Sequence, residues 1–448
     1  MSTQSVNREF PWSWLLVAFC GAGLGIVGYW LAVPLNVEIS GTTLGDPHKA
    51  MSVQSSGFLS QLESVEVKDD RGRIVPGLLE ADHFVTKQPL AYGTHYTLSA
   101  RANRPFAQEG VSRTFEFTTA YIPKLLNRAP YQLQPDGALH LQFDRPVSSV
   151  QVKSSLALAP KVDGRQVILQ SQKYRQGATH PVQIMWTTAN GVPLPSFTLQ
   201  VQTPQALRAT ANVQGLEKVG VALPVVLTFS ERLQNREAVL ETLKPPTIEG
   251  VPASGKWHWI AKRQVEFVPQ PQWPAFAKID VQIDPTGLKS VKGGWLEQGI
   301  TQSFTTGPDR HISVYLDTQI VKAIESGEVV HSFAMSSGKS RTPTVTGTYY
   351  IYARYRKKTM TSSAAPGTPG YYKVENVPYA QYFHDAYAFH GAWWHSGFGH
   401  PMSHGCVNLS TRAFNRRWPD AREDAGWLWE WAALGVPVTV YAHGGESS

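Results

Sequence analysis

Most of the chain is divided into short segments in which apolar and polar residues alternate. Four clear examples are VQIMW (182–186), FTLQVQ (197–202), PVVLTF (224–229) and KIDVQI (278–283). Alternation with a period of two predicts β-strands with one buried face, and the 37 Gly and 31 Pro residues supply turns between them. The chain is therefore predicted to be mainly β, with stacked β-sandwiches.

A phrase that recurs along the chain indicates where the sandwiches end. TFEFTTAYIP (114–123) and ITQSFTTGPD (300–309) each place FTT after a strand pattern and before a junction that contains Pro. The segment between them closes on SFTLQVQTP and has a similar size. We therefore predict three immunoglobulin-like domains, and chance likeness of β segments is the alternative, chiefly for the middle one. Their predicted bounds are 37–121, 122–205 and 206–307.

The N-terminal region has no charged residue between Glu9 and Glu38 and is apolar almost throughout. This run is longer than the apolar part of a signal peptide or of a buried core helix, so it predicts a transmembrane signal anchor at 11–36. A cleaved signal peptide is the alternative. The basic Arg8 places residues 1–10 in the cytoplasm and the rest outside the cell membrane, which makes the membrane an expected partner.

The net charge of +7 is spread along the chain without a dense basic run. Such a distribution is typical of a solvated surface, with weak attraction to an anionic envelope polymer as the alternative. It lacks the clustered basic footprint of a nucleic-acid-binding protein, so no nucleic-acid partner is expected.

From Asp309 onward the pattern changes. HISVYLDTQIVKAIE and SGEVVHSFAMSSGK predict a β-meander, and GTYYIYARY (347–355) predicts another strand. The stretch 356–378 is rich in Pro and Gly, so we expect an irregular lid or binding loop there. A helix is expected between Pro419 and its stop at Gly435, with Leu428, Trp431 and Ala432 packed on the sheet.

The segment HGAWWHSGFGHPMSHGCVNLS (390–410) contains four histidines and Cys406. The second cysteine, Cys20, lies in the apolar segment and cannot pair with it. A free thiol in an oxidising compartment favours a nucleophile.

A metal site is a weaker interpretation of the same segment. The spacing of His390, His395, His400 and His404 is five, five and four residues, whereas zinc sites prefer tighter pairs on a fixed element. A purely structural role, on the surface or in hydrogen bonds, is favoured for His395 or His400 taken alone.

A cysteine nucleophile needs a base, a group that orients the base and donors for an oxyanion. Gly405 allows a turn that exposes Cys406 and points N–H groups at an intermediate. His390, at the end of the strand-like DAYAF, supplies an imidazole that can ionise a thiol whose ordinary pKa is about 8.5. No carboxylate lies in this stretch, so a backbone carbonyl must orient the imidazole.

SHGCVN (403–408) with the upstream HG (390–391) resembles the signature of L,D-transpeptidases, the YkuD-type cysteine enzymes of bacterial peptidoglycan. The resemblance covers about 310–442 through VYLDTQ, TPTVTGTYYIYARY and AFHGAWWHSGFG. Upstream, VGVALPVVLTFSE and FTT are similar to the immunoglobulin-like domains of mycobacterial-type enzymes. This resemblance implies a β-rich catalytic domain with a C-terminal helix at 308–443, followed by a tail at 444–448.

The resemblance implies that Cys406 is the nucleophile and His390 the general base. The carbonyl of Gly391 would orient His390, and the N–H groups of Gly405 and Cys406 would stabilise the oxyanion. The substrate contacts that it implies, in the pocket, the lid and the cleft wall, are Ser403, His404, Asn408, Met360, Tyr371, Tyr372, Trp393 and Trp394. The two tryptophans have a core position as their alternative.

The segment TRAFNRRWP (411–419) departs from the family, which usually enters its helix directly after this motif. The departure either brings Arg412, Arg416 and Arg417 to substrate carboxylates or is a plain surface insertion.

The resemblance implies a transpeptidase that forms 3→3 cross-links between peptidoglycan stem peptides, without a metal or organic cofactor. It also implies that carbapenems acylate the same thiol. An L,D-carboxypeptidase and a protein-anchoring enzyme would use the same site. A wall-binding scaffold without catalysis is the alternative from another class.

Overall fold

The computed structural model describes residues 28, 33–40, 45–105, 109–171, 173–362, 364–412 and 423–443. The chain forms two compact units that divide between Thr203 and Pro204. Strands dominate both units, so the predicted mainly-β fold is confirmed.

The first unit begins with a pair of sheets that enclose a core of fully buried Val37, Val53, Val67 and Leu98. One sheet has the order β1-β2-β5-β4 and the other β3-β6-β7. Their strands are β1 (Asn36–Ser40), β2 (Met51–Ser56), β3 (Gln61–Asp69), β4 (Gly77–Glu80), β5 (His83–Thr86), β6 (His95–Asn103) and β7 (Val111–Thr118).

A second pair of sheets completes this unit, with the orders β10-β13-β14-β8 and β11-β12-β9. Trp186 packs between Phe143 and Phe197 in its core, with ring centroids 5.0 and 5.1 Å away. The strands are β8 (Tyr131–Gln132), β9 (Ala138–Gln142), β10 (Val147–Ser154), β11 (Ala159–Asp163), β12 (Gln166–Gln170), β13 (Thr179–Thr188) and β14 (Pro193–Gln202).

The second unit begins with a third sandwich, whose sheets have the orders β15-β16-β20-β19 and β18-β17-β21-β22. Trp273 is fully buried at its centre, and its indole N–H donates to the carbonyl of Leu223 at 2.7 Å. The elements are β15 (Ala209–Ala211), β16 (Val225–Phe229), α1 (Arg236–Thr242), β17 (Thr247–Ile248), β18 (Val251–Pro252), β19 (Gly255–Ala261), β20 (Gln264–Pro269), β21 (Lys278–Ile283) and β22 (Ile300–Thr305).

Two further sheets and a helix follow, around a core that includes Phe333, Phe389 and Leu428. The sheets have the orders β25-β24-β23-β31-β26 and β27-β28-β29-β30. The elements are β23 (Arg310–Tyr315), β24 (Ile320–Glu325), β25 (Glu328–Ala334), β26 (Gly347–Tyr350), β27 (Ala353–Thr361), β28 (Lys373–His384), β29 (Tyr387–Gly391), β30 (Val407–Leu409), α2 (Asp424–Trp431) and β31 (Pro437–Tyr441).

Three local predictions for this region were wrong. The stretch 356–378 is largely a β-hairpin, because its Gly and most of its Pro residues fall in the turn between β27 and β28, and a register irregularity precedes Met360. GTYYIYARY is two strands in different sheets, because Ile351 and Tyr352 break the run. Helix α2 ends at Trp431 rather than near Gly435, because Ala432 turns to an extended conformation.

The packed face predicted for the C-terminal helix is confirmed, since Leu428, Trp431 and Ala432 are all buried in the core. Pro419, the expected helix start, lies outside the described residues.

No helix within the described part of the chain is long and apolar enough to cross a membrane. The predicted signal anchor at 11–36 lies almost wholly outside that part, as do Arg8 and Cys20. The membrane anchor therefore stays a prediction.

Candidate active site

The parallel pair of β29 and β30 brings the central residues of the site together. His390 is paired with Asn408 across the two strands, and Cys406 lies two residues before Asn408. Because side chains in a strand alternate between faces, all three are expected on one face of the sheet. All three line one cleft in the structure.

The turn that precedes β30 requires glycine at position 405. Gly405 has φ of +125°, and a Cβ there would lie 2.7 Å from the ring of Tyr387. Both the backbone conformation and the space therefore exclude a larger residue. The glycine lets the chain reverse so that the next residue, Cys406, reaches the cleft.

The thiol of Cys406 is half-buried and donates to the carbonyl of Ala386 at 3.5 Å. Burial raises the pKa of this thiol to about 11, and the backbone N–H of Ala388 lowers it only in part. A neutral thiol is therefore the resting form at neutral pH.

The imidazole of His390 is 4% exposed, and burial lowers its pKa to about 4, against an ordinary value of 6.5. Its Nδ1 lies 3.2 Å from the carbonyl oxygen of Gly391. A carbonyl only accepts, so Nδ1 carries the proton and Nε2 is left as an unprotonated base. This arrangement places Gly391 where an orienting carbonyl is expected.

Proton transfer from Cys406 to His390 requires one side-chain movement. The hydrogen-bond acceptor of the thiol is Ala386 rather than the imidazole. The S–H group must therefore turn away from that carbonyl to reach Nε2 of His390. The catalytic roles of the two residues stay predictions.

Ser403 braces the turn that holds Cys406. Its hydroxyl accepts from the N–H of Gly405 at 2.9 Å and donates to the carbonyl of Cys406 at 2.6 Å. The Gly405 amide, predicted as an oxyanion donor, is therefore already paired inside the turn. An oxyanion would have to displace the Ser403 hydroxyl to use it.

A second clamp on this turn was not predicted from the sequence. The buried hydroxyl of Thr344 accepts from the N–H of Gly338 at 2.9 Å and donates to the carbonyl of Gly405 at 2.8 Å. Gln319 in turn holds Ser337 through its backbone N–H and its hydroxyl. Isolated Thr and Gln residues in a sequence carry no periodic signal, so only the fold reveals this support.

The hairpin of β27 and β28 forms one wall of the cleft. Met360 and Tyr372 line it, and the Tyr372 ring packs on His404 at 5.0 Å. Burial and the nearby Cys406 raise the pKa of Tyr372. Tyr371 is absent from the described lining, whereas Val374, Val377 and Met402, which the sequence did not single out, belong to it.

The two tryptophans differ in their position relative to the cleft. Trp394 lines the cleft, and its ring centroid lies 5.8 Å from that of His390. Trp393 packs against Trp394 at 4.8 Å outside the described lining. Both are more than 40% exposed, so neither occupies the core position given as their alternative.

None of the remaining candidates within the described part of the chain lines the cleft. His395 is bonded to Asn408 behind the cleft, and His400 is exposed. Within the described ranges, no three His, Cys, Asp or Glu side chains are grouped as a metal site requires. Arg412 is exposed, whereas Arg416 and Arg417 fall outside those ranges.

Comparison with known families gives two matches. The YkuD family, described as the L,D-transpeptidase catalytic domain, matches residues 309–440. This range contains every residue that lines the cleft. A family described as the bacterial Ig domain matches 45–165 and 168–289, two segments whose ends do not coincide with the three pairs of sheets.

Several mycobacterial proteins are similar to this chain. L,D-transpeptidase 2 of Mycobacterium tuberculosis (strain CDC 1551 / Oshkosh) is 28% identical over 328 residues, 67% of this chain and 76% of the relative. A solved L,D-transpeptidase from Mycobacterium smegmatis is 26% identical over 53% of this chain and 99% of that one, with a TM-score of 0.41. L,D-transpeptidase 3 from Mycobacterium tuberculosis, solved with a faropenem-derived adduct, is 25% identical over 52% of this chain and 97% of that one, with a TM-score of 0.41.

Proposed function

Because the chain belongs to the L,D-transpeptidase family, with a YkuD catalytic domain C-terminal to bacterial immunoglobulin-like domains, we propose that it forms 3→3 cross-links in peptidoglycan. The observation that carries the proposal is the convergence of Cys406, His390 and Asn408 on one cleft. A thiol nucleophile and an adjacent unprotonated imidazole are the groups that acyl transfer through a thioester requires.

In the first half-reaction, Cys406 attacks the carbonyl carbon of the bond between diaminopimelate and D-Ala in a tetrapeptide stem. Nε2 of His390 takes the thiol proton as the S–C bond forms. Burial raises the pKa of Cys406 to about 11 and lowers that of His390 to about 4. Both groups are therefore neutral in the empty cleft, and the proton moves only as the new bond forms. The imidazolium then returns the proton to the departing amine, D-Ala leaves, and a thioester remains.

In the second half-reaction, the side-chain amine of a second stem attacks the thioester. His390 accepts a proton from this amine and returns one to the sulfur, so that the thiol is regenerated with a new amide bond. Water as the acceptor would make the enzyme an L,D-carboxypeptidase, and a protein amine would make it a protein-anchoring enzyme. The acceptor distinguishes these activities, whereas the nucleophile is common to all three.

The same thiol is proposed to react with carbapenems. Attack of Cys406 on the strained lactam carbonyl opens the ring, and the ring nitrogen takes the proton from His390. The product is an acyl-enzyme of the same kind as the stem thioester, so the two compounds compete for one site.

The N-terminal segment is proposed to anchor the enzyme in the cell membrane, with its catalytic domain outside. The uncharged run between Glu9 and Glu38 supports this placement. The immunoglobulin-like domains then hold the catalytic domain away from the membrane surface.

Incubation with purified disaccharide-tetrapeptide tests the proposed activity. Mass spectrometry should find a dimer that has lost one D-Ala, and the Cys406→Ala variant should form none because the attacking atom is missing. His400→Ala is the matched control, since His400 is exposed and outside the cleft lining.

Tripeptide without dimer would assign the carboxypeptidase activity instead. Cross-linking by Cys406→Ala would eliminate the proposed nucleophile. Binding of wall fragments with no turnover by the wild type would favour the scaffold.

A further inference from the structure

His395 lies behind the wall of the cleft and is half-buried. Its Nδ1 is 3.2 Å from the backbone N–H of Gly397, which donates to it. The carbonyl of the same glycine accepts from the hydroxyl of Ser336 at 3.1 Å, which fixes this short segment. A backbone N–H can only donate, so Nδ1 of His395 must be the unprotonated ring nitrogen.

The proton of the neutral imidazole is therefore on Nε2. Burial lowers the pKa of His395, which favours this neutral form. Nε2 lies 3.0 Å from the side-chain amide of Asn408. An N–H on Nε2 needs an oxygen as its acceptor, so the Asn408 carbonyl oxygen must face His395.

The opposite amide orientation leaves two conflicts. With its NH₂ group toward Nε2, Asn408 would need a ring protonated at Nδ1, and that proton would meet the N–H of Gly397. In that orientation Oδ1 of Asn408 is also buried with no hydrogen-bond partner among the described residues. The two ends of an amide have the same shape, and the hydrogen-bond network decides between them. The orientation with oxygen toward His395 removes the first conflict and leaves the NH₂ group, instead of the oxygen, at the buried position without a partner in the described part of the chain.

The rest of Asn408 has little freedom to move. Its side chain is 3% exposed, and its backbone N–H and carbonyl are both bonded to Ser336, at 2.9 and 3.0 Å. It is also paired with His390 across the parallel strands. Rotation of the terminal amide is the freedom that remains, and the bond to His395 removes it.

We propose that His395 is a positioning residue that holds the Asn408 amide, with its oxygen toward the imidazole, in the wall of the cleft beside Cys406. Asn408 and Cys406 line the same cleft, whereas His395 does not line it. This inference rests on the proposed acyl-transfer function and adds one residue to its machinery.

The tautomer of His395 is measurable without any substrate. Long-range ¹H–¹⁵N correlation spectra of the full chain with labelled histidine distinguish a ring protonated at Nε2 from one protonated at Nδ1. The ring signals of His395 are assigned by their absence from the spectrum of His395→Gln. We expect the Nε2–H form at neutral pH, and the Nδ1–H form would overturn the proposal.

Acylation kinetics test the consequence, with a carbapenem as the probe. We expect His395→Ala to lower the second-order rate constant for acylation of Cys406 by about 10- to 100-fold. Loss of a residue that orients a metal ligand through a hydrogen bond has an effect of this size in metalloenzymes. His395→Gln keeps a side-chain N–H donor and should restore the rate to within about threefold of wild type. His400→Ala, the same change at an exposed histidine, should leave the rate unaltered.

A double-mutant cycle separates positioning from a general structural effect. If His395 acts through Asn408, His395→Ala should have no further effect in an Asn408→Ala background. Additive losses, or a wild-type rate in His395→Ala, would overturn the proposal. A wild-type enzyme that no carbapenem or stem peptide acylates would instead remove the proposed function, and the tautomer measurement would still decide how the amide is oriented.

Discussion

His390 and Cys406 have opposite pKa shifts from one physical cause. Burial disfavours both the imidazolium and the thiolate, so the pKa of His390 falls to about 4 and that of Cys406 rises to about 11. The resting site is then neutral, and charge develops only when substrate is present. Groups that stabilise the developing charge therefore contribute most in the transition state.

The low pKa of His390 makes a prediction for pH dependence. The base stays unprotonated as pH falls through the ordinary histidine range and is lost only when pH approaches about 4. We expect the second-order rate of acylation to be nearly constant from about pH 8 to about pH 5 and to fall below that. A stopped-flow pH profile with a carbapenem checks this, and an acid limb centred near 6.5 would contradict it.

At the scale of elements, Cys406 is held by loops as much as by strands. The turn at 403–406 is braced from within by Ser403 and from outside by Thr344. The Thr344 hydroxyl satisfies a donor on Gly338 and an acceptor on Gly405, and it is itself buried. Geometry at Cys406 therefore depends on a residue more than sixty positions away in sequence.

Thr344→Val keeps the shape of the side chain and removes both hydrogen bonds. We expect the free energy of unfolding to fall by about 1–3 kcal/mol, because buried backbone groups lose their partners. The acylation rate should fall as well, and Thr344→Ser should restore both. Chemical denaturation and acylation kinetics provide the measurements.

Thr348→Val, on the exposed face of β26, is the matched control and should change neither quantity. Equal behaviour of the two valine variants would show that the clamp on the turn has no role.

The sequence predicted the elements that local patterns specify. Alternating strands, the buried face of α2 and the SHGC turn all follow from residues close together in the chain. The hairpin at 353–384 was missed because its Pro and Gly residues lie together in the turn and leave the flanking strands free to pair. The Thr344 clamp and the bond between His395 and Asn408 depend on tertiary contacts, so no local pattern indicates them.

At the scale of the molecule, the third sandwich and the catalytic domain meet backbone to backbone within the second unit. The N–H of Gly220 donates to the carbonyl of Leu434 at 2.7 Å, and that of Ala222 donates to Gly435 at 2.9 Å. Tyr350 adds a contact with Glu266, and burial raises the pKa of Tyr350 to about 12. This junction fixes the segment that leads into β31, a strand of the catalytic domain.

Gly220→Ala should disrupt this junction, because its Cβ would lie 2.1 Å from the backbone nitrogen of Val436. We expect a loss of about 1–3 kcal/mol in the free energy of unfolding, since backbone cannot yield as a flexible side chain does. Thermal unfolding of the full chain measures the effect.

Gly426→Ala is the matched control, because the nearest neighbour of its Cβ is the Tyr379 ring at an ordinary contact distance of 3.5 Å and alanine favours helix α2. It should be neutral or stabilising. Equal melting temperatures for both variants would mean that the close contact at Gly220 is dispensable.

We propose that the sulfur of Cys406 carries the acyl group between donor and acceptor. The sharpest test is intact-protein mass spectrometry after brief exposure to the disaccharide-tetrapeptide without an acceptor. We expect one adduct equal to the donor less D-Ala, mapped to the peptide that contains Cys406 and absent from Cys406→Ala. Release of D-Ala at the wild-type rate by Cys406→Ala, or an adduct on another residue, would contradict it.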